Sequence, residues 1–210
     1  MSDAILQPAE LRHLTLADLS APLDYTALFG RDAPVQMEIG SGRGDFLIRY
    51  AAVRPDLNLL GVERKLTILR RAEHKVRYFK ASNVLLLHAE IRHLLEEYIP
   101  PGSLDAIHIY FPDPWPKKRH AKRRVIRQGM PELLGRALVM GGYLHIRTDV
   151  EAYYAEIMRL LEACPLFVSV TPPNDLEPIR TAYEDKFLRH GKVIYRASFQ
   201  RACQPAQVRA

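Results

Sequence analysis

Val35-Gln36-Met37-Glu38-Ile39-Gly40-Ser41-Gly42-Arg43-Gly44-Asp45 is the stretch that decides the fold. A short apolar run that ends in three glycines at alternate positions predicts a buried strand turning sharply into a helix opened by Asp45. Glycine has no Cβ, so backbone at such a turn can approach a ligand closely. In an open α/β sheet the ligand crevice lies at the carboxyl ends of the strands, where this turn falls.

Outward from this stretch, short runs rich in Val, Ile and Leu alternate with longer amphipathic segments, the signature of β-α units around a buried parallel sheet. Residues 35–39, 59–62, 84–87, 106–110 and 143–146 are expected strands, and 45–52, 66–80, 91–98, 125–138 and 150–163 are expected helices. Beyond Cys164, residues 167–170 and 193–199 read as strands joined by a connection too short for a full crossover helix, so an antiparallel finish follows. The expected fold is α/β and Rossmann-like, with a mostly parallel seven-stranded sheet and an antiparallel terminal strand. Residues 1–34 contain Pro8, Pro22, Gly30 and Pro34 without sustained periodicity and read as an extended or weakly helical, partly flexible lead-in. One domain is expected over residues 35–201, with 202–210 as a tail.

The 210 residues are 48% hydrophobic and 26% charged, an ordinary globular composition. No stretch approaches the roughly 20 apolar residues of a membrane span, and the first 20 residues lack the features of a secretory leader, so a cytoplasmic location is expected. Cys164 and Cys203 have no C-x-x-C spacing and read as two reduced thiols. The eight histidines show no ligand spacing, so no metal is expected. The formal charge of +6 points to an anionic partner, and its distribution says more than its size. Lys117, Lys118, Arg119, Lys122, Arg123, Arg124 and Arg127 crowd into eleven positions.

Three acids fall at successive expected strand ends. Glu63 closes Leu60-Gly61-Val62-Glu63, 19 residues beyond Gly44, where a carboxylate can accept both hydroxyls of a ribose. Glu90 follows the next strand, placed to meet an adenine edge, and Glu38 faces the opposite end of such a ligand. Any one of them alone reads as a solvated charge. The glycine spacing is G-x-G-x-G and not the G-x-G-x-x-G of dinucleotide folds, which favours S-adenosylmethionine, a molecule with no pyrophosphate to seat on the helix N-terminus. An NAD enzyme would need the same ribose acid and stays open here.

The fourth expected strand delivers Tyr110-Phe111-Pro112-Asp113-Pro114-Trp115-Pro116 directly ahead of the basic run. Three prolines fix their own φ and bias the preceding residues to extended conformations, predicting a stiff loop. Asp113 on it can accept hydrogen bonds from guanine N1–H and the exocyclic amine, a donor pair adenine lacks. Trp115 either walls a base pocket or docks on the core.

FPDPWPKKRHAKRR resembles the signature of the bacterial tRNA (guanine-N7)-methyltransferase family, of the class I S-adenosylmethionine-dependent type. EIGSGRGDF, LLGVE, GGYLHIRTD, TAYEDKF and GKVIYRASF occur in that family's order, from about Val35 to Phe199. The resemblance implies S-adenosylmethionine contacts from Glu38, Gly40, Gly42, Glu63, Glu90 and Asp113, with Asp113 also catalytic. It implies substrate contacts from Lys117, Asp149, Thr181, Ala182, Tyr183 and Glu184. Arg119, His120, Lys122, Arg123 and Arg124 would touch RNA. The implied product is N7-methylguanosine in the variable loop, at position 46 of the tRNA. No protein partner is implied, and the chain would act as a monomer or homodimer. The family often has Asp where this chain has Glu90, and many relatives carry a basic, aromatic N-terminal arm that residues 1–30 lack.

By spacing alone, Asp149 reads as a helix N-cap and Thr181-Ala182-Tyr183-Glu184 as a capping box. Two further alternatives are a methyltransferase acting on an exocyclic amine and a non-catalytic RNA-binding protein.

Overall fold

Val35–Ile39 forms a strand in the first of two units into which the chain divides, residues 1–100 and 101–210. The structure is a computed structural model that describes residues 13–172 and 176–202. Cys203 and most of the expected tail lie outside the described residues.

In unit 1 the strands β1 (Leu14–Thr15), β2 (Val35–Ile39), β3 (Asn58–Glu63) and β4 (Val84–His88) lie in the order β1-β4-β3-β2, all parallel. All six residues of β3 are buried, as a central strand covered on both faces requires. The helices are α1 (Tyr25–Phe29), α2 (Asp45–Val53), α3 (Leu66–Tyr78) and α4 (Ile91–Glu97). In α2 the apolar stripe Phe46, Leu47, Tyr50 and Ala51 is buried. Gly61 lets α2 settle on β3, because a Cβ there would stand 2.4 Å from Leu47 Cδ1 and 2.9 Å from Leu86 Cδ2. The lead-in is held by Arg31, whose guanidinium donates to Asn58 Oδ1 (2.7 Å), Leu57 O (2.6 Å) and Pro55 O (2.9 Å).

Unit 2 contains β5 (Leu104–Tyr110), β6 (Leu138–Thr148), β7 (Phe167–Val170) and β8 (Tyr195–Arg201), with α5 (Met130–Ala137), α6 (Glu151–Glu162) and α7 (Ala182–Arg189). The order is β5-β6-β8-β7, and β8 runs antiparallel to both of its neighbours. The terminal strand is antiparallel, as expected, and is inserted between β6 and β7. Seven strands follow the expected plan, and β1 is an added two-residue strand at the outer side of β4.

Two boundaries differ by five residues, and the others by two or fewer. Residues 125–129 are not helical: α5 starts at Met130, with Gly129 in the left-handed region (φ +80°) as N-cap and Pro131 in the first turn, where its missing N–H costs nothing. Strand β6 begins at Leu138, five residues before the expected start, and its pairing with β5 shifts register between Leu104 and Ala106. Gly141 and Gly142 fall at this irregularity, a place where strands often carry glycines.

Candidate active site

In unit 1 the glycine turn sits at the carboxyl ends of β2 and β3. Gly40 N and Ser41 N donate to Val62 O at 2.8 and 3.0 Å, and Gly40, Gly42 and Gly44 all take positive φ (+76°, +56°, +71°). The Glu63 carboxylate ties this turn to the strand tip, accepting from Gly42 N (3.3 Å) and Lys65 N (2.8 Å). A Cβ built on Gly40 would meet nothing within 4 Å, and Ser41 Oγ is buried with no hydrogen-bond partner among the described residues. Open space beside an unused hydroxyl and two buried acids, Glu38 and Glu63, fits a polar adenosyl ligand. Ser41 was missed from sequence because the glycines around it carried all the signal. Glu90 is exposed and is the N-cap of α4, Oε2 accepting from His93 N at 3.0 Å, which leaves Oε1 available.

In unit 2, Phe111–Pro116 leaves β5 as a loop without regular structure. Phe111 and Trp115 precede prolines, but instead of extended backbone they adopt positive φ, +51° and +41°. Each costs on the order of 1 kcal/mol and must be held by its surroundings. Phe111 N donates to Arg147 O at 2.7 Å, while Arg124 donates Nε to Pro114 O (2.8 Å) and Nη2 to Trp115 O (3.2 Å). Arg124 also pairs with Glu156 and lies over the Tyr153 ring. Arg124 was expected among the RNA contacts. Its 14%-exposed side chain is instead committed to clamping the loop. Asp113 is exposed at the centre of that loop, flanked by prolines.

The basic run forms a 3-10 helix, Lys118–Arg123, closed by Arg127 Nη1 donating to Lys122 O (2.6 Å) and Arg124 O (3.2 Å). Lys117, Arg119, Lys122 and Arg123 are exposed. Trp115 is neither a bare surface ring nor a core anchor: the Arg123 guanidinium lies 4.9 Å from its centroid and His120 meets it edge-on at 5.7 Å.

Thr181 is the N-cap of α7, its Oγ1 accepting from Glu184 N at 3.0 Å. The reciprocal half of the expected capping box is not formed. Glu184 is fully buried and lies between two arginines, Oε2 accepting from Arg147 Nη1 (2.8 Å) and Oε1 from Arg196 Nη2 (2.6 Å). Both oxygens are thus occupied, and Glu184 positions α7 without facing solvent. Tyr183, one residue earlier, is 59% exposed. Asp149 is not an N-cap either: Val150 holds that place, with its N–H donating to Thr148 Oγ1, and Asp149 pairs with Lys192 at 2.5 Å. Lys192 in turn lies over the Phe187 ring, which packs against Phe111 and Tyr183. The strained end of β5 and the exposed face of α7 therefore meet in one aromatic cluster with Asp149 beside it.

Sequence reasoning also missed a buried histidine pair. His108 and His145 are register partners on β5 and β6 with rings stacked at 5.3 Å, bonded to Tyr110 Oη (2.9 Å) and Ser198 Oγ (2.8 Å). Burial, with Arg147 adding its charge, holds the His145 imidazole down at about 4, and burial first, then His145 and Arg147, lowers His108 well below its ordinary value. Both are neutral structural groups near pH 7. Among the described residues no cluster of His, Cys, Asp and Glu could hold a metal ion, and no helix is long and apolar enough to cross a membrane.

Comparison with solved structures gives the class. The antibiotic-resistance methyltransferase Kmr is similar over 86% of this chain and 92% of its own (TM-score 0.57, 18% identity). The 16S rRNA (adenine(1408)-N(1))-methyltransferase from Catenulisporales acidiphilia is similar over 85% and 90% (TM-score 0.55, 15% identity). The fold is that of Rossmann-like class I methyltransferases. Residues 32–197 match the family described as "Putative methyltransferase". The tRNA (guanine-N(7)-)-methyltransferase of Bordetella pertussis is 38% identical over 185 residues, 86% of this chain and 72% of that protein. The protein of the same name from Thermus thermophilus is 37% identical over 85% of this chain and 57% of its own length. The chain belongs to the tRNA (guanine-N(7)-)-methyltransferase family.

Proposed function

We propose that the chain methylates N7 of the variable-loop guanosine, position 46, of tRNA in the cytoplasm, as a monomer or homodimer. The relatives' names support the substrate. The observation that carries the residue roles is the loop held rigid by Arg124 and Arg147, which presents Asp113 with little freedom to lose.

Glu38, Gly40, Gly42, Glu63 and Glu90 would hold S-adenosylmethionine, with Ser41 added to them and Asp113 contributing. When bound, S-adenosylmethionine supplies an electrophilic methyl group on a sulfonium. Guanine N7 carries an in-plane lone pair and no proton, so no general base is required of the chain. Its task is to hold N7 in line for attack. Asp113 accepts from guanine N1–H and the exocyclic amine, orienting the purine, and its charge offsets the cation that methylation leaves on the ring. Tyr183, Thr181, Ala182 and Asp149 border the base, and Lys117 contacts the substrate. Arg119, His120, Lys122 and Arg123 hold phosphates around a base turned out of its stack.

Incubation with labelled S-adenosylmethionine and unmodified tRNA tests this, with Asp113→Asn beside the parent. The parent is expected to form N7-methylguanosine, and the variant to lose most of kcat while its affinity for S-adenosylhomocysteine falls far less. Equal activity of the two removes Asp113 from its role.

A further inference from the structure

The chain has a second basic segment. Residues 64–80 contain seven lysines and arginines and one acid, Glu73, a formal +6 equal to that of the whole chain. Outside this segment and the run at 117–127 the chain is net negative, so its attraction for a polyanion is concentrated in two places. Only one of them borders the Asp113 loop in sequence.

The second segment is largely α3, a helix that buries only Leu69 and Ala72. Arg70, Arg71 and His74 are exposed, and Arg70, His74 and Tyr78 follow one another at four-residue spacing along one row. At the end of that row Tyr78 is 73% exposed and Phe79 59%, their rings edge-to-face at 5.0 Å. Exposed apolar side chains are ordinary singly, but two adjacent rings beside a row of cations have the composition of a base-stacking platform. Lys80 adds a second observation. It takes φ +51°, with its N–H on Arg77 O (3.1 Å) and Ala81 N on Val76 O (3.0 Å), the helix-end position that glycine suits best. A lysine there keeps a cation next to the rings against backbone preference.

We infer that the C-terminal end of α3 is a second tRNA-contacting surface: Arg70, Arg71 and Lys80 hold phosphates while Tyr78 and Phe79 stack on an unpaired base. It rests on the proposed function, which makes RNA the substrate. The occupant is a looped part of the tRNA and not a duplex, because only unpaired bases offer their faces.

Binding of an unmodified tRNA transcript to the full chain, measured over a range of salt, tests it. Tyr78→Ala/Phe79→Ala is expected to weaken binding about tenfold with the salt slope unchanged, since stacking carries no counterion release. Arg70→Ala/Arg71→Ala is expected to lower the slope by about 1 to 2. Lys80→Gly is expected to raise the melting temperature while weakening binding, which separates the fold from the ligand. Melting and S-adenosylhomocysteine affinity report that each variant is folded. If the parent methylates tRNA and all three variants bind it as the parent does, the inference is overturned and the proposed function stands. If the parent forms no N7-methylguanosine while the variants still lose tRNA affinity, the function falls and the surface stands. A change of mass in the aromatic variant with tRNA affinity unaltered assigns the patch to a second copy of the chain and overturns the inference.

Discussion

Glu184 accepts from Arg147 Nη1 at 2.8 Å with both side chains buried, and Arg147 also donates to the backbone at Ile179 (Nη1, 2.8 Å) and Leu176 (Nη2, 2.5 Å). One arginine therefore fixes, through its guanidinium, the start of α7 and the chain ahead of it and, through its backbone carbonyl, the strained Phe111. Removing one partner of a buried pair costs about 3–5 kcal/mol, because the other charge is left uncompensated. Glu184→Ala is expected to lose that much stability in denaturant unfolding. Its loss of methyl transfer should appear even below the unfolding transition, since Tyr183 is carried by the same helix.

Arg124 and its exposed neighbours should respond differently to the same substitution. Arg119→Ala and Arg123→Ala are each expected to lower the salt slope of tRNA binding by about 0.7 to 0.9, one phosphate contact apiece. Arg124→Ala leaves two loop carbonyls and Glu156 without their donor, so it is expected to cost about 2 kcal/mol of stability and to lower kcat with the salt slope unchanged. Salt-dependent binding and single-turnover kinetics on the three variants check the division.

The histidine pair makes stability depend on acid. The folded pKa of His145, about 4, lies below the ordinary 6.5, so between these values the unfolded chain binds the proton and the folded chain does not. Stability is fully present above about pH 6.5 and falls as the pH drops toward 4, by about 3 kcal/mol from this group. His108, lowered for the same reason, adds in the same direction. His145→Gln, which retains a polar group for Ser198, is expected to flatten the slope of unfolding free energy between pH 6.5 and 4.

Strand β3 has its own test. Gly61→Ala places a methyl 2.4 Å from Leu47 Cδ1 and 3.2 Å from Ser41 Cβ, so the added carbon presses α2 and the glycine turn away together. Overpacking of this kind costs about 1–3 kcal/mol. The variant is expected to show that loss in denaturant unfolding, together with weaker S-adenosylhomocysteine binding by calorimetry.

Elements whose pattern is local were legible in the sequence. Val35–Ile39 and Phe167–Val170 match their expected bounds because an apolar run with clear breakers defines a strand without outside information. The glycine turn was legible for the same reason. What the sequence hid depends on distant partners. Arg147 and Glu184 stand 37 residues apart, and nothing in T-x-x-E says that its glutamate will turn inward and not back to the cap. Arg124 looked like its neighbours in a basic run, and only the carbonyls of Pro114 and Trp115 distinguish it. The positive φ of Phe111 and Trp115 runs against the preference of residues before proline, so only the fold could reveal it.

The insertion of β8 between β6 and β7 carries a consequence for biosynthesis. A nascent chain that has emerged only as far as β7 holds two strands that do not pair with each other and must keep a slot vacant. Because β8 also brings Arg196 to Glu184, α7 gains its second anchor only when the ribosome has delivered β8. Translation that halts early leaves unit 2 with exposed strand edges that chaperones and proteases would recognise.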